Sequence, residues 1–197
     1  MAVSFEFDFQ RTSAAITYLA SRNLPELTKY KICKLLFLAD KFHLVQYGRV
    51  ITGDKYCALP KGPIPSRTLN LLNAVLAESI RDQQAEALKQ ILTIDHNYLY
   101  PRFRADIVVD PDQLSASDYT ALDKVISEYG QMGFEALRLI THETFAYRKA
   151  WSERPEGSNG ADMYFEEFFE DDPDAIVGAR ETMLEDDSMR KIFPAYH

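Results

Sequence analysis

Residues 28–47 constrain this fold more than any other stretch. Ile32, Leu35, Leu36, Ala39 and Phe42 keep helical spacing, and Cys33, Phe37 and Leu38 add apolar surface on other faces. A helix apolar over most of its circumference belongs at the centre of a domain, wrapped by others. Gly48 supplies a left-handed stop. The pattern then breaks. Residues 48–66 hold three glycines and three prolines in nineteen positions, which forbids a helix and favours turns. Val50-Ile51 and Tyr56–Leu59 can form short strands around Gly53-Asp54. Pro60 and Pro63 confine any strand there to a sheet edge.

The flanking sequence supplies the wrapping. Residues 9–22 read as a helix with Ile16, Leu19 and Ala20 inward. Ser66 is a good N-cap for a helix to about residue 79, and residues 82–92 give another. Residues 93–109 change to a period of two, with Ile94, His96, Tyr98 and Tyr100, then Phe103, Ala105, Ile107 and Val109. That predicts a small antiparallel pair. Ser115-Ala-Ser-Asp118 is a capping box, opening a helix that Gly130 closes. Short helices follow over residues 133–140 and 145–151, then a loop over 152–162. Asp172-Pro173 reads as the N-cap and first-turn proline of a last helix running towards Ile192. The expectation is a mainly α (α+β) fold. A compact helical domain with a small antiparallel β element spans residues 1–151. An acidic C-terminal helical extension spans 152–197 and packs on the domain or on a partner.

Charge narrows the function classes. The net charge of −8 argues against general nucleic-acid binding through phosphates. Its distribution is uneven. Residues 153–187 hold thirteen acids against Arg154 and Arg180, a net of −11, whereas residues 29–67 carry eight bases against Asp40 and Asp54, a net of +6. No apolar run reaches the roughly 18 residues of a membrane span. The acidic first residues lack the hydrophobic stretch of a secretion signal. Two cysteines make no disulfide framework. These features lead to the expectation of a cytoplasmic protein with reduced thiols.

The residues offer no convincing catalytic set. Asp40 and His43 share a helix face, and His142-Glu143 offers further ligands, so a small metal-dependent enzyme using Asp40, His43 and His142 is one reading. No HExxH or CxxC supports it, and an aspartate accepting a hydrogen bond from a histidine is the plainer one. Residues 48–55 look superficially like a phosphate loop, but Asp54 stands where its lysine must be. Cys57 with His142 as base is a formal nucleophile, though nothing local lowers its pKa. Cys33 reads as packing. No metal and no cofactor are expected. The stiff loop around Lys61-Gly-Pro-Ile-Pro65, flanked by Arg49, Lys55, Lys61 and Arg67, loses little entropy on docking to a partner; a purely structural turn is the alternative.

The order of residues carries a resemblance. Lys34-Leu-Leu-Phe-Leu-Ala-Asp40, His43, Tyr47-Gly48, Ile51-Thr-Gly53-Asp54, Tyr56, Ala58, Leu59-Pro60 and Gly62-Pro63-Ile-Pro65 resemble the Panacea domain, or SocA-like antitoxin domain. Leu114-Ser-Ala-Ser-Asp118, Leu122-Asp-Lys-Val125, Tyr129-Gly130, Leu137 and Thr141-His142 extend the likeness, which covers about residues 9–151. Where the family often has tryptophan a few residues after Thr-His, this chain has Tyr147, with Trp151 later. The resemblance implies an antitoxin of a bacterial or phage two-gene system, neutralising a cognate toxin, encoded by a neighbouring gene, by direct binding. It implies no reaction and no catalytic residue. Lys34, Asp40, His43, Gly53, Asp54, Tyr56, Gly62, Pro63, Pro65, Thr141 and His142 are the motif positions, open to a structural role. Candidate partner contacts are Arg49, Lys55 and Lys61 on the basic side and Tyr164, Phe165, Phe168 and Phe169 on the acidic segment. That segment suits a basic toxin surface, or packs across the domain's own basic front. An adaptor without a toxin is the other class left open, and so is self-association.

Overall fold

A computed structural model describes residues 2–77, 81–107, 109–170, 172, 175–176 and 178–192. Helix α1 (Phe9–Ala20) leads into α2 (Lys29–Tyr47), which runs through the middle of the molecule with Ile32, Cys33, Leu35, Leu36, Phe37, Ala39 and Leu44 buried. Its ends are set by the residues the sequence marks. The Thr28 hydroxyl accepts the Lys31 N–H at 3.3 Å, and Gly48 closes the helix at φ +72°. Around it stand α1, α3 (Ser66–Val75), α5 (Ala116–Tyr129), α6 (Phe134–His142) and α8 (Ala179–Ile192), while α4 (Gln83–Ile91) packs on α1 and α3 and α7 (Phe145–Ser152) follows α6. The capping box of α5 is present in full: Ser115 and Asp118 each accept the other's backbone N–H.

The β element differs from the expected pairing. Strand β1 (Tyr56–Leu59) lies between β2 (Gly62–Pro65) and β5 (Ala161–Asp162), antiparallel to both, with Tyr56 opposite Pro65 and Cys57 opposite Asp162. Val50-Ile51 is not a strand, because the Ile51 and Thr52 amides donate to the Asp40 carboxylate and have none left for a ladder. Pro63 does sit on an edge strand, β2, where a missing N–H costs nothing, and Pro60 lies in the turn before it. A second hairpin pairs β3 (Thr93–Asp95) with β4 (Arg102–Arg104), Ile94 opposite Phe103. The alternation in sequence is longer than this three-residue ladder.

Two helix starts also differ. Ser66 is the first residue of α3, not its cap, and its hydroxyl lies 3.3 Å from the Cys57 sulfur. The α3 amides are capped from a distance: Asp54 accepts the Arg67 N–H at 3.0 Å and the Thr68 N–H at 2.7 Å. The α3 helix ends at Val75, and residues 78–79 lie outside the described residues. The last helix begins at Ala179. Asp172 forms an ion pair with Lys41 instead of capping, and the Ile176 N–H donates to the Val45 carbonyl at 2.9 Å, so the chain crosses the end of α2 before it can coil. Pro173 lies outside the described residues.

The acidic segment is tied to the domain. A 3-10 turn, Phe165–Phe169, places the Phe168 ring 5.5 Å from Phe37 and 5.8 Å from Tyr56, and the Phe165 ring 4.9 Å from Phe5. Met183 of α8 is buried as well. The architecture is mainly α with small antiparallel β elements.

Candidate functional site

Helix α2 carries three buried ionisable motif residues, each organising a different neighbour. Asp40 is fully buried and accepts four hydrogen bonds: Ile51 N–H at 2.7 Å, Thr52 N–H at 3.1 Å, Thr52 Oγ1 at 2.5 Å and Tyr56 Oη at 2.8 Å. Burial pushes its carboxyl above the ordinary range, and these four donors pull it back. Burial and the nearby Asp40 raise the Tyr56 phenol well above its usual value, so it stays a donor. Thr52 Oγ1 accepts the Asp54 N–H at 3.1 Å, and Asp54 caps α3. The Ile-Thr-Gly-Asp run is therefore a relay that fixes the loop to α2 at one end and α3 at the other. Gly53 is required where it stands: at φ +66° its β-carbon would fall 1.8 Å from the Glu6 carbonyl oxygen.

One turn later, His43 joins α2 to α5. Its Nδ1 lies 2.7 Å from the Arg49 carbonyl, and its Nε2 lies 3.1 Å from Asp118 and 3.0 Å from Ser117 Oγ. The Asp118 carboxylate also receives Arg11 at 2.7 Å and the Ser115 N–H at 2.9 Å. Burial alone would raise this carboxyl, but the hydrogen bonds from His43, Arg11 and Ser115 hold it well below the usual range. Arg49 reaches the same cluster, 2.8 Å from Ser117 Oγ.

The third position is Lys34, on the side of α2 that faces the β1–β2 hairpin. It is fully buried and donates to the Pro63 carbonyl at 2.8 Å. Burial pushes its ammonium down to about 7. Gly62, at φ +99°, leaves room for it: a β-carbon there would lie 2.5 Å from Lys34 Nζ and 3.0 Å from His142 Cδ2. His142 stacks on Tyr147 at 4.3 Å, and Tyr147 stacks on Trp151 at 6.1 Å while donating to the Leu59 carbonyl at 3.0 Å. Tyr147 thus supplies the ring that backs the Thr-His pair. Burial, together with Arg138 and Lys34, lowers the His142 pKa. Thr141 turns inward and donates to the Leu137 carbonyl at 2.9 Å. Pro65 lies opposite Tyr56 in the sheet.

Asp40, His43 and His142 therefore serve three separate networks. Among the described residues no group of three or more His, Cys, Asp and Glu side chains is placed to hold a metal ion. Burial pushes the Cys33 thiol up to about 12, and burial with Asp162 raises that of Cys57, outweighing Ser66. Both thiols are poor nucleophiles at neutral pH.

The surface candidates are spread over several faces. Arg49 borders the His43 cluster, whereas Lys55 and Lys61 are exposed on the loop and hairpin. Phe165 and Phe168 are buried in the chain's own core, Phe169 packs against its edge, and Tyr164 is 48% exposed. Glu167 and Glu170 of the same segment pair with Lys149 at 2.7 Å and Arg180 at 3.3 Å. Sequence reasoning missed the Asp118 junction, because a capping box explains Asp118 without Arg11 or His43. It also missed an aromatic groove: Tyr98, Leu99 and Tyr100, read as strand, form the exposed tip beyond β3, beside Tyr30 and Phe134.

Among the described residues no helix is long and apolar enough to cross a membrane. No curated protein and no solved structure matches the chain. The family model described as "Antitoxin SocA-like, Panacea domain" matches residues 32–148, which begin inside α2 and end inside α7 and so include Lys34, Asp40, His43, Asp118 and His142, while Arg11 and Trp151 of the same networks lie outside the match. The chain belongs to this SocA-like antitoxin family.

Proposed function

We propose that this protein neutralises a cognate protein toxin, encoded by a neighbouring gene, by binding it directly in the cytoplasm of a bacterial or phage-infected cell. Membership of the antitoxin family carries the reading. The geometry supports a binding role. The motif's ionisable groups are held inside the domain by Ile51, Thr52, Tyr56, Asp118 and Pro63, so the motif builds a scaffold and leaves recognition to the surface. We read it as a non-enzyme on the same ground.

The test is co-expression of the adjacent gene in a bacterial host, with and without this chain. The reading expects growth arrest by the neighbour alone, restored growth with this chain, and co-purification of the two. A harmless neighbour, or one that does not co-purify, overturns it in favour of an adaptor without a toxin.

A further inference from the structure

An apolar surface that the motif networks do not explain lies where the β3–β4 hairpin meets α2 and α6. Tyr30, Tyr98, Leu99, Tyr100 and Phe134 line a groove of about 380 Å³, with Lys61 and Arg102 among its polar neighbours. Leu99 is 89% exposed, Tyr100 54% and Tyr98 44%. Three consecutive large apolar side chains facing water cost solvation that a lone domain has no reason to bear, and such patches mark interaction sites. The walls are already ordered. The Tyr30 ring stands 6.4 Å from Tyr100 and 6.1 Å from Phe134, and the Arg102 guanidinium lies 3.4 Å over Tyr98. Tyrosine and arginine are the residue types that concentrate binding energy at interfaces.

Charge selects the occupant. The two acids on the rim are already engaged: Glu26 lies 3.5 Å from Arg102, and Glu135 lies 2.8 Å from Arg138. Lys61 and the adjoining Lys29, which hydrogen-bonds Asn73 and lies 5.1 Å over the Tyr30 ring, have no carboxylate within ion-pair distance among the described residues. The lining balances two acids against two bases, and the charges left unpaired beside the aromatic floor, Lys29 and Lys61, are both positive. We propose that this groove is the toxin-docking site and that it takes a toxin segment presenting an apolar side chain flanked by carboxylates. The proposal rests on the antitoxin reading above.

The test is pull-down of the purified neighbouring-gene product by the full chain carrying Leu99→Asp or Tyr100→Ser, with thermal melting to check folding. Both positions are exposed, so the melting temperature is expected to stay at the wild-type value. Toxin binding should fall by about thirtyfold or more, the scale of losing one hot-spot residue, and growth rescue should fail. Lys29→Glu with Lys61→Glu should weaken binding too, most at low salt. Leu184→Asp, on the outer face of α8, should leave binding unchanged. If wild type binds and the groove variants bind equally well, the groove assignment is wrong while the antitoxin reading stands. If wild type does not bind, both fall. If the groove variants instead convert a dimer of this chain to a monomer, the occupant is a second copy and the toxin assignment is overturned.

Discussion

Lys34 Nζ lies 2.8 Å from the Pro63 carbonyl oxygen, fully buried, with no carboxylate in ion-pair distance among the described residues. A buried, unpaired lysine loses stability whenever it is charged. Its folded pKa, about 7, is below the unfolded value of 10.5. Between those values the unfolded chain binds more protons, so stability rises with pH across that window. Urea midpoints should increase from about pH 7 to about pH 10, and Lys34→Met should flatten the rise. An unchanged slope in the variant would remove Lys34 as its source.

Asp118 titrates the other way. Its folded pKa is held low, so its stabilising contribution is present above the ordinary carboxylate range and lost as pH falls through and below it. Asp118→Asn leaves the buried His43 and the Arg11 guanidinium without their anion. The expected cost is about 3 kcal/mol at neutral pH, with a shallower acid-unfolding curve than wild type. Chemical denaturation across the acid range checks both.

Tyr56→Phe removes one of the four donors to Asp40 while keeping the ring against Phe37 and Phe168. The loss should be about 1–3 kcal/mol, that of a buried charged acceptor deprived of one partner. A near-neutral effect in a denaturation titration would mean that water enters to replace the phenol.

Phe168→Ala is expected to cost about 3–5 kcal/mol, because the ring fills space between Phe37, Tyr56 and Phe165. By the same reasoning, removing residues 163–197 should destabilise the whole domain. Loss of toxin binding in such a truncation would then report unfolding. A truncated chain that melts like wild type would contradict this account of the segment.

The central helix was legible because its periodicity is local: apolar spacing, Thr28 at the start and Gly48 at the end all lie within one stretch of chain. The pairing of Tyr56–Leu59 with Gly62–Pro65 was not. Val50-Ile51 looks equally strand-like until Asp40, eleven residues away from Ile51, takes its amide. The fate of the acidic segment was hidden for a similar reason. Phe165 and Phe168 sit among carboxylates in sequence, and only the fold brings Phe5, Phe37 and Tyr56 to meet them. Motif positions could be found as a pattern, but their partners at Thr52, Asp118 and Ser117 depend on contacts between elements. The groove escaped because Tyr98 and Tyr100 alternate like strand residues, whereas the ladder stops at Asp95.

The most direct measurement is a calorimetric titration of the purified chain with the purified product of the adjacent gene. The account predicts saturable binding at a fixed stoichiometry, together with loss of the toxin's activity at the same equivalence point. Absence of binding between two folded proteins, or binding that leaves the toxin fully active, would contradict it.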